Sequence, residues 1–242
     1  MGERPSRALL NRPSTFLDPE NYPAITVHQP YAGLIWLAGM GELGKDIEVR
    51  IKRITYRGAL VIGAGKRVDP DAYERVRKVL VGGGIMKLAD YEAACGASMA
   101  GKAVALMEIA HCRPMAEDDR ERSFISPQFE TRDQFAWEAG TIAALDPFPT
   151  SGAQGFFRVR RDLADNAIRR QTTRVQRDRV WEAWKKRREL VCDCGAKLPK
   201  HLVDAMNDNP ESAHDCRCGK RYVVRRNKFV LKGTATNTIL EV

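Results

Sequence analysis

The chain has 242 residues, 43% of them hydrophobic, with 40 basic side chains against 31 acidic ones and a net charge of +9. That is apolar enough to fill a core, which excludes wholesale disorder, and no run approaches the roughly 20 apolar residues of a membrane span. Residues 1–23 carry no apolar stretch followed by a small-residue cleavage site, so a soluble cytoplasmic protein with no membrane partner is expected.

The charge is unevenly placed. Residues 158–190 hold 12 basic and 5 acidic side chains, residues 191–242 hold 9 and 6, and residues 1–157 hold 19 and 20. A localised excess of this kind favours polyanions, nucleic acid before an anionic membrane face, although a solvated helix with Arg on its wet side has the same composition.

In chain order, Met1–Pro23 is Arg/Pro/Ser-rich, lacks periodicity and reads as a tail. Ala24–Val27 is a short β-prone run, followed by His28-Gln29-Pro30, where Pro30 suits the first position of an apolar helix over Tyr31–Met40. Ile47–Ile54 alternates Ile47, Val49 and Ile51 against Glu48, Arg50 and Lys52, the period of a half-buried strand. Tyr56–Gly58 reads as a turn, and Ala59–Ala64 as a buried strand. Asp69–Val81 reads as a helix capped by Asp69 with Pro70 in its first turn, ended by Gly82–Gly84. Ala103–Ala110, Phe135–Thr141 and Gly155–Val159 are further strand candidates, and Leu163–Leu190 is a long basic helix with a thin apolar stripe. Short strands with helices inserted irregularly between them point to an α+β fold, a small and mainly antiparallel β-barrel, rather than a doubly wound sheet.

Two similar turns, Cys192-Asp193-Cys194-Gly195 and Cys216-Arg217-Cys218-Gly219, present four thiols that could form a tetrahedral structural zinc site. Each turn separates its cysteines by one residue, tighter than the usual two. His201 and His214 are substitute ligands, and free thiols or redox pairs are the alternatives. Metal binding would supply folding energy to so small a module. Cys95 and Cys112 stand alone in apolar surroundings and read as buried structural thiols.

Gly44-Lys45-Asp46-Ile47-Glu48-Val49-Arg50 places Glu48 and Arg50 on one strand face, with Lys45 in the turn that enters it. Converging beside His28, they would form a mixed-charge pocket for a base or phosphate; a solvated strand face fits the composition as well.

Ile25–Ala32 (Ile-Thr-Val-His-Gln-Pro-Tyr-Ala), the Gly44-Lys45-x-x-Glu48-x-Arg50 element, Tyr56-Arg57-Gly58-x-Leu60-x-Ile62 and Lys66 follow one another as in the ASCH family of the PUA-like superfamily, which residues 24–159 resemble. The resemblance implies a PUA-like barrel whose cleft takes RNA, more than DNA, or one modified nucleotide. Lys45, Glu48 and Arg50 would lie in that cleft, His28, Gln29 and Tyr31 at its rim, with Lys66 nearby. One branch of the family deacetylates N4-acetylcytidine with a lysine, a threonine three residues on and a later glutamate. Lys45 and Glu108 match the outer two, but Glu48 replaces the threonine, so catalysis by Lys45, Glu48 and Glu108 would need a water-activating variant.

The expected organisation is thus a tail (1–23), an ASCH/PUA-like domain (24–159), a basic helix (160–190) and a zinc-ribbon-like module (191–242). Arg169, Arg170, Arg174, Arg177, Lys185 and Lys186 would neutralise phosphates, while Trp181 and Trp184 read as a packing stripe. Gly63-Ala64-Gly65-Lys66 lacks the features of a P-loop. Nucleic-acid binding leads; an amidohydrolase or nuclease acting on a modified nucleoside or RNA, and a protein-interaction adaptor, are the alternatives.

Overall fold

The six expected strand runs become six strands of one sheet in the first part of the chain, four of them longer than expected. They are β1 (Asn21–Gln29), β2 (Ile47–Arg50), β3 (Gly58–Val68), β4 (Lys102–Pro114), β5 (Phe135–Pro149) and β6 (Phe156–Arg160). The structure, a computed structural model, describes residues 18–187, 192, 194–199, 212–225 and 228–232. The chain divides into two units, Met1–Ile168 and Arg169–Val242.

The strand order is β2-β5-β4-β3-β1-β6. The β1–β3 pair is parallel and the others are antiparallel. The edge strands β2 and β6 do not pair, so the sheet is open, and the expected closed PUA-like barrel is corrected to a mixed α/β architecture around an open sheet. The expected strand Ile47–Ile54 stops at Arg50, and Ile51 is 74% exposed. The sheet nonetheless curls: three register shifts interrupt the β4–β5 ladder, and such bulges bend a strand and increase its twist. The rings of Trp137 on β5 and Phe156 on β6 stack with centroids 6.1 Å apart.

Inside the curl, Val27, Leu60, Ile62, Met107, Ile109 and Trp137 form the main core with Ile35. Ile35 belongs to α1 (Tyr31–Gly39), in which Pro30 is the N-cap residue and not the first helical one. Beside the sheet, α1 packs with α2 (Pro70–Arg77), a π-helical turn (Lys78–Gly82) and α3 (Leu88–Cys95) through Leu34, Val76, Leu80 and Tyr91. Asp69 caps α2 by accepting the Ala72 N–H at 3.0 Å. A short α4 (Asp119–Ser123) lies between β4 and β5.

α5 (Arg161–Arg187) begins earlier than expected. Ala164 and Ala167, both 0% exposed, pack with Val61, Leu145 and Val159 on the outer face of the sheet. The side chains of α5 are described without a break only to Gln176, and this short stretch, 161–176, starts as part of a core and not as a basic arm. The long basic helix expected over 163–190 is corrected accordingly. The side chains of Arg177, Trp181, Trp184, Lys185 and Lys186 lie outside the described residues, as does the tail over 1–17.

The second unit contains a three-stranded antiparallel sheet in the order β7 (Ser212–Asp215), β8 (Arg221–Arg225), β9 (Lys228–Lys232), with Tyr222 and Val223 buried. Among the described residues no helix is long and apolar enough to cross a membrane.

Candidate functional site

Gly44 sets the first charge of the site. A Cβ there would lie 2.3 Å from the Leu34 carbonyl oxygen and 2.4 Å from the Ala38 nitrogen, so only glycine lets the chain run flat against α1. The next residue donates its backbone N–H to that same Leu34 oxygen at 3.1 Å. Lys45 therefore enters the protein at a fixed point and is 2% exposed. Its Nζ donates to the Ser123 carbonyl at 3.1 Å and lies 3.4 Å from Glu48 Oε2 and 5.2 Å from the centre of the Tyr31 ring. Burial pushes the Lys45 ammonium below its ordinary value, partly offset by the Glu48 carboxylate.

Glu48 is buried, although alternation placed it opposite Ile47 and Val49. It is shared by two cations: Oε2 faces Lys45, and Oε1 lies 2.8 Å from Arg50 Nε. Arg50 also donates through Nη2 to the Thr26 carbonyl at 2.9 Å, fastening β2 to β1 across the open side of the sheet.

The segment after β4 covers this group. The last carbonyls of a helix have no intrahelical partner and attract cations. At the end of α4, the Ser123 oxygen takes Lys45, and the Phe124 oxygen takes Arg75 Nη2 at 3.3 Å. Arg75 Nη2 also donates to the Tyr31 hydroxyl at 2.9 Å. Ion pairs anchor α4 from outside. Arg113 holds both carboxylate oxygens of Asp119 at 2.7 Å and Glu138 at 2.8 Å, and Arg122 reaches Asp46 at 2.8 Å. The Asp119 carboxyl is held below the usual range, first by Arg113 and also by the Ala116 N–H.

Between lid and sheet lies a pocket of about 340 Å³, within the range of small-ligand sites. Lys45, Glu48 and Arg50 meet there with Tyr31, Asp69, Arg75, Ser126 and Phe129. Sequence reasoning missed Asp69, read only as a helix cap, together with Arg75, Ser126 and Phe129 as site residues. The available signal was an aromatic ring, Phe129, within the mostly polar run Ser126–Gln134.

The remaining expected site residues divide. His28 is exposed and lines the pocket. Gln29 is 0% exposed, not at the rim; its Oε1 accepts the Gly33 N–H at 3.0 Å and positions the start of α1. Lys66 lines an adjoining pocket. Glu108 is exposed, lies outside both pockets and accepts from the Thr141 hydroxyl at 2.9 Å. It alternates with the buried Met107 and Ile109, so it occupies the face of β4 away from the core. Arg169 and Arg170 each have interactions of their own, and Arg174 is exposed.

In the second unit, Cys192, Cys194, Cys216 and Cys218 bring their sulfurs within 4.8 Å of one another. The two turns match bond for bond. The N–H groups of Gly195 and Gly219 donate to Cys192 and Cys216, whose own N–H groups donate to Ala196 and Lys220. Both glycines need positive φ, +82° and +86°, which explains glycine after each second cysteine. The closest sulfur pairs, Cys192–Cys218 at 3.4 Å and Cys194–Cys216 at 3.5 Å, are too long for disulfides. Tyr222 donates its hydroxyl to Cys192 at 3.1 Å. The Ala196 N–H and neighbouring thiols pull Cys194 down to about 7, whereas burial pushes Cys192 up. Four sulfurs this close cannot all ionise unless a cation lies between them, so the cluster could hold a metal ion. His214 lies on β7 and is not part of the sulfur group; His201 is outside the described residues.

Neither a scan of family models nor a search of curated proteins finds a match to the chain.

Proposed function

We propose that the first unit binds single-stranded nucleic acid, RNA in preference to DNA, and holds one base in the pocket under the α4 segment. The observation that carries this reading is the meeting of Lys45, Glu48 and Arg50 with Tyr31 and Phe129 in one cavity of about 340 Å³. Aromatic rings offer a face on which any base can stack, while the charged groups supply donors and acceptors for its edge. The ASCH resemblance supports RNA through these residues and not through the fold. The positive balance of residues 158–242 adds a sequence-independent attraction to phosphate.

Mobility shift of labelled RNA and DNA strands at two salt concentrations tests the reading. Binding that weakens steeply with salt supports it. No shift at micromolar protein, or affinity indifferent to salt, refutes it. A hydrolytic role has less support, because Glu108 faces away from the pocket and Glu48 is already shared by two cations.

For the second unit we propose structural zinc. Zn–S bonds of about 2.3 Å in a tetrahedron imply sulfur separations of about 3.8 Å, inside the 3.4 Å to 4.8 Å observed. Four thiolates select a soft or borderline metal and leave no open position for catalysis. Reduced cysteines in such a site suit the cytoplasm. Metal analysis of the purified chain at one zinc per molecule is the expected result.

A further inference from the structure

Beside the base pocket lies a second one of about 420 Å³, reached past the same Thr26, His28 and Arg50. The two differ in chemistry. The first contains two carboxylates, Glu48 and Asp69, and two aromatic rings. Among the fourteen residues lining the second there is no Asp, Glu or aromatic ring besides His28. Five are glycine, two are the cations Arg50 and Lys66, and Thr26, Thr150 and Ser151 bring hydroxyls. The glycines keep it open: a Cβ at Gly65 would lie 3.3 Å from His28 Nδ1, and one at Gly152 would lie 3.3 Å from Thr26 Oγ1. Their bare backbone also lets a ligand approach the wall closely. Lys66 is exposed and has no ion-pair partner among the described residues. A cationic, hydroxyl-bearing, carboxylate-free chamber next to a mixed-charge aromatic one suits an anion attached to a base.

We propose that the second pocket seats the phosphate flanking the base held in the first, with Arg50 and His28 as the partition. The ligand is then a nucleotide within a strand and not a free base or nucleoside. This rests on the reading of the first pocket as a base site.

Fluorescence anisotropy of the full chain with a fluorescein-labelled ten-nucleotide RNA, across several salt concentrations, tests it. One phosphate contact on a single strand contributes about 0.7 to the slope of log affinity against log salt. Lys66→Ala is expected to weaken binding and lower the slope by about that amount, Lys66→Arg to keep it, and Ser151→Glu to weaken binding by adding a carboxylate. Phe129→Ala is expected to weaken binding with the slope unchanged. In competition, AMP, CMP, GMP and UMP should outdo their nucleosides against the wild type and lose that advantage against Lys66→Ala. An unchanged slope in Lys66→Ala, with Phe129→Ala still weakened, overturns the phosphate seat and leaves the base site standing. Absence of RNA binding by the wild type removes both.

Discussion

Glu48 carries two cations, so its removal should cost more than the removal of either. In Glu48→Gln the side chain keeps its size and loses its charge. Lys45, 2% exposed, is then left with the Ser123 carbonyl and the Tyr31 ring, and it shares the space with the still-charged Arg50. Leaving a buried charge without its partner costs about 3–5 kcal/mol. Lys45→Met replaces a buried ammonium by an apolar chain of similar length, while Glu48 keeps Arg50 at 2.8 Å. The loss is then about one charged hydrogen bond, about 1.5–3 kcal/mol, reduced by the relief of burying the charge. Urea unfolding at neutral pH should therefore rank wild type, Lys45→Met and Glu48→Gln in falling stability. The pH dependence adds a second reading. Lys45 in the folded chain already lies below its ordinary 10.5 through burial, and losing Glu48 lowers it further. Between that folded value and 10.5 the unfolded chain binds more protons, so stability rises with pH over that window. The gap between Glu48→Gln and wild type should narrow as pH approaches 10. A Glu48→Gln variant within about 1 kcal/mol of wild type, or one no weaker than Lys45→Met, would refute the shared-carboxylate argument.

Asp119→Asn should loosen the covering segment. It replaces one of the two oxygens that accept from Arg113 at 2.7 Å by an amide donor and takes the charge from the other, which should cost about 1.5–3 kcal/mol in denaturant unfolding. Because the Asp119 carboxyl titrates below 3.8 in the folded chain, its contribution is complete above that pH and is lost as pH falls through the folded value, so the variant should lie closest to wild type in strong acid. If the proposed zinc holds the second unit together, Cys192→Ser or a strong chelator should abolish amide protection in β7–β9 while leaving that of β1–β6 unchanged, as read by hydrogen exchange. Gly33→Ala should lower the melting temperature, since the added Cβ would lie 2.3 Å from the Ala94 carbonyl oxygen and force α1 and α3 apart at a cost of about 1–3 kcal/mol.

Local signals were the legible part of this fold. Asp69 and Pro70 marked the start of α2, the apolar run from Tyr31 marked α1, and glycine after paired cysteines marked the two turns that gather the sulfurs. Long-range effects were not legible. β5 continues from Thr141 to Pro149 although Asp146, Pro147 and Pro149 are poor strand residues. β2 pairs only with Phe135–Glu138, so the later part of β5 has an edge without a ladder, where proline removes no bond. The inward turn of Glu48 was equally hidden, because alternation assigns a face but not which face is covered. Here α4 does the covering, and five residues with little apolar content give no periodic signal. Closure of the sheet failed as an expectation because a pattern of short strands does not say which edges pair: β2 and β6 end the order without meeting, and a strand's end is set by partners distant in sequence.

The buried charge group has a further consequence for how binding and stability are joined. An ammonium at 2% exposure is a poor choice for stability, since an apolar side chain would fill the same space without desolvating a charge. Its partners come from three parts of the first unit: Glu48 from β2, Tyr31 from α1 and the Ser123 carbonyl from the end of α4. Under the proposed reading, a ligand acceptor that reaches Lys45 touches these same elements, so ligand contact and the seating of α4 would draw on the same group. A ligand that binds only the folded arrangement stabilises it by about 2.7 kcal/mol at a hundred times its dissociation constant. That is comparable to the single bonds holding the lid, so a weakened lid should be restored by RNA and not by salt. An Asp119→Asn chain that regains stability with RNA ties the covering segment to the site, whereas equal stabilisation by sulfate would assign the effect to general anion binding.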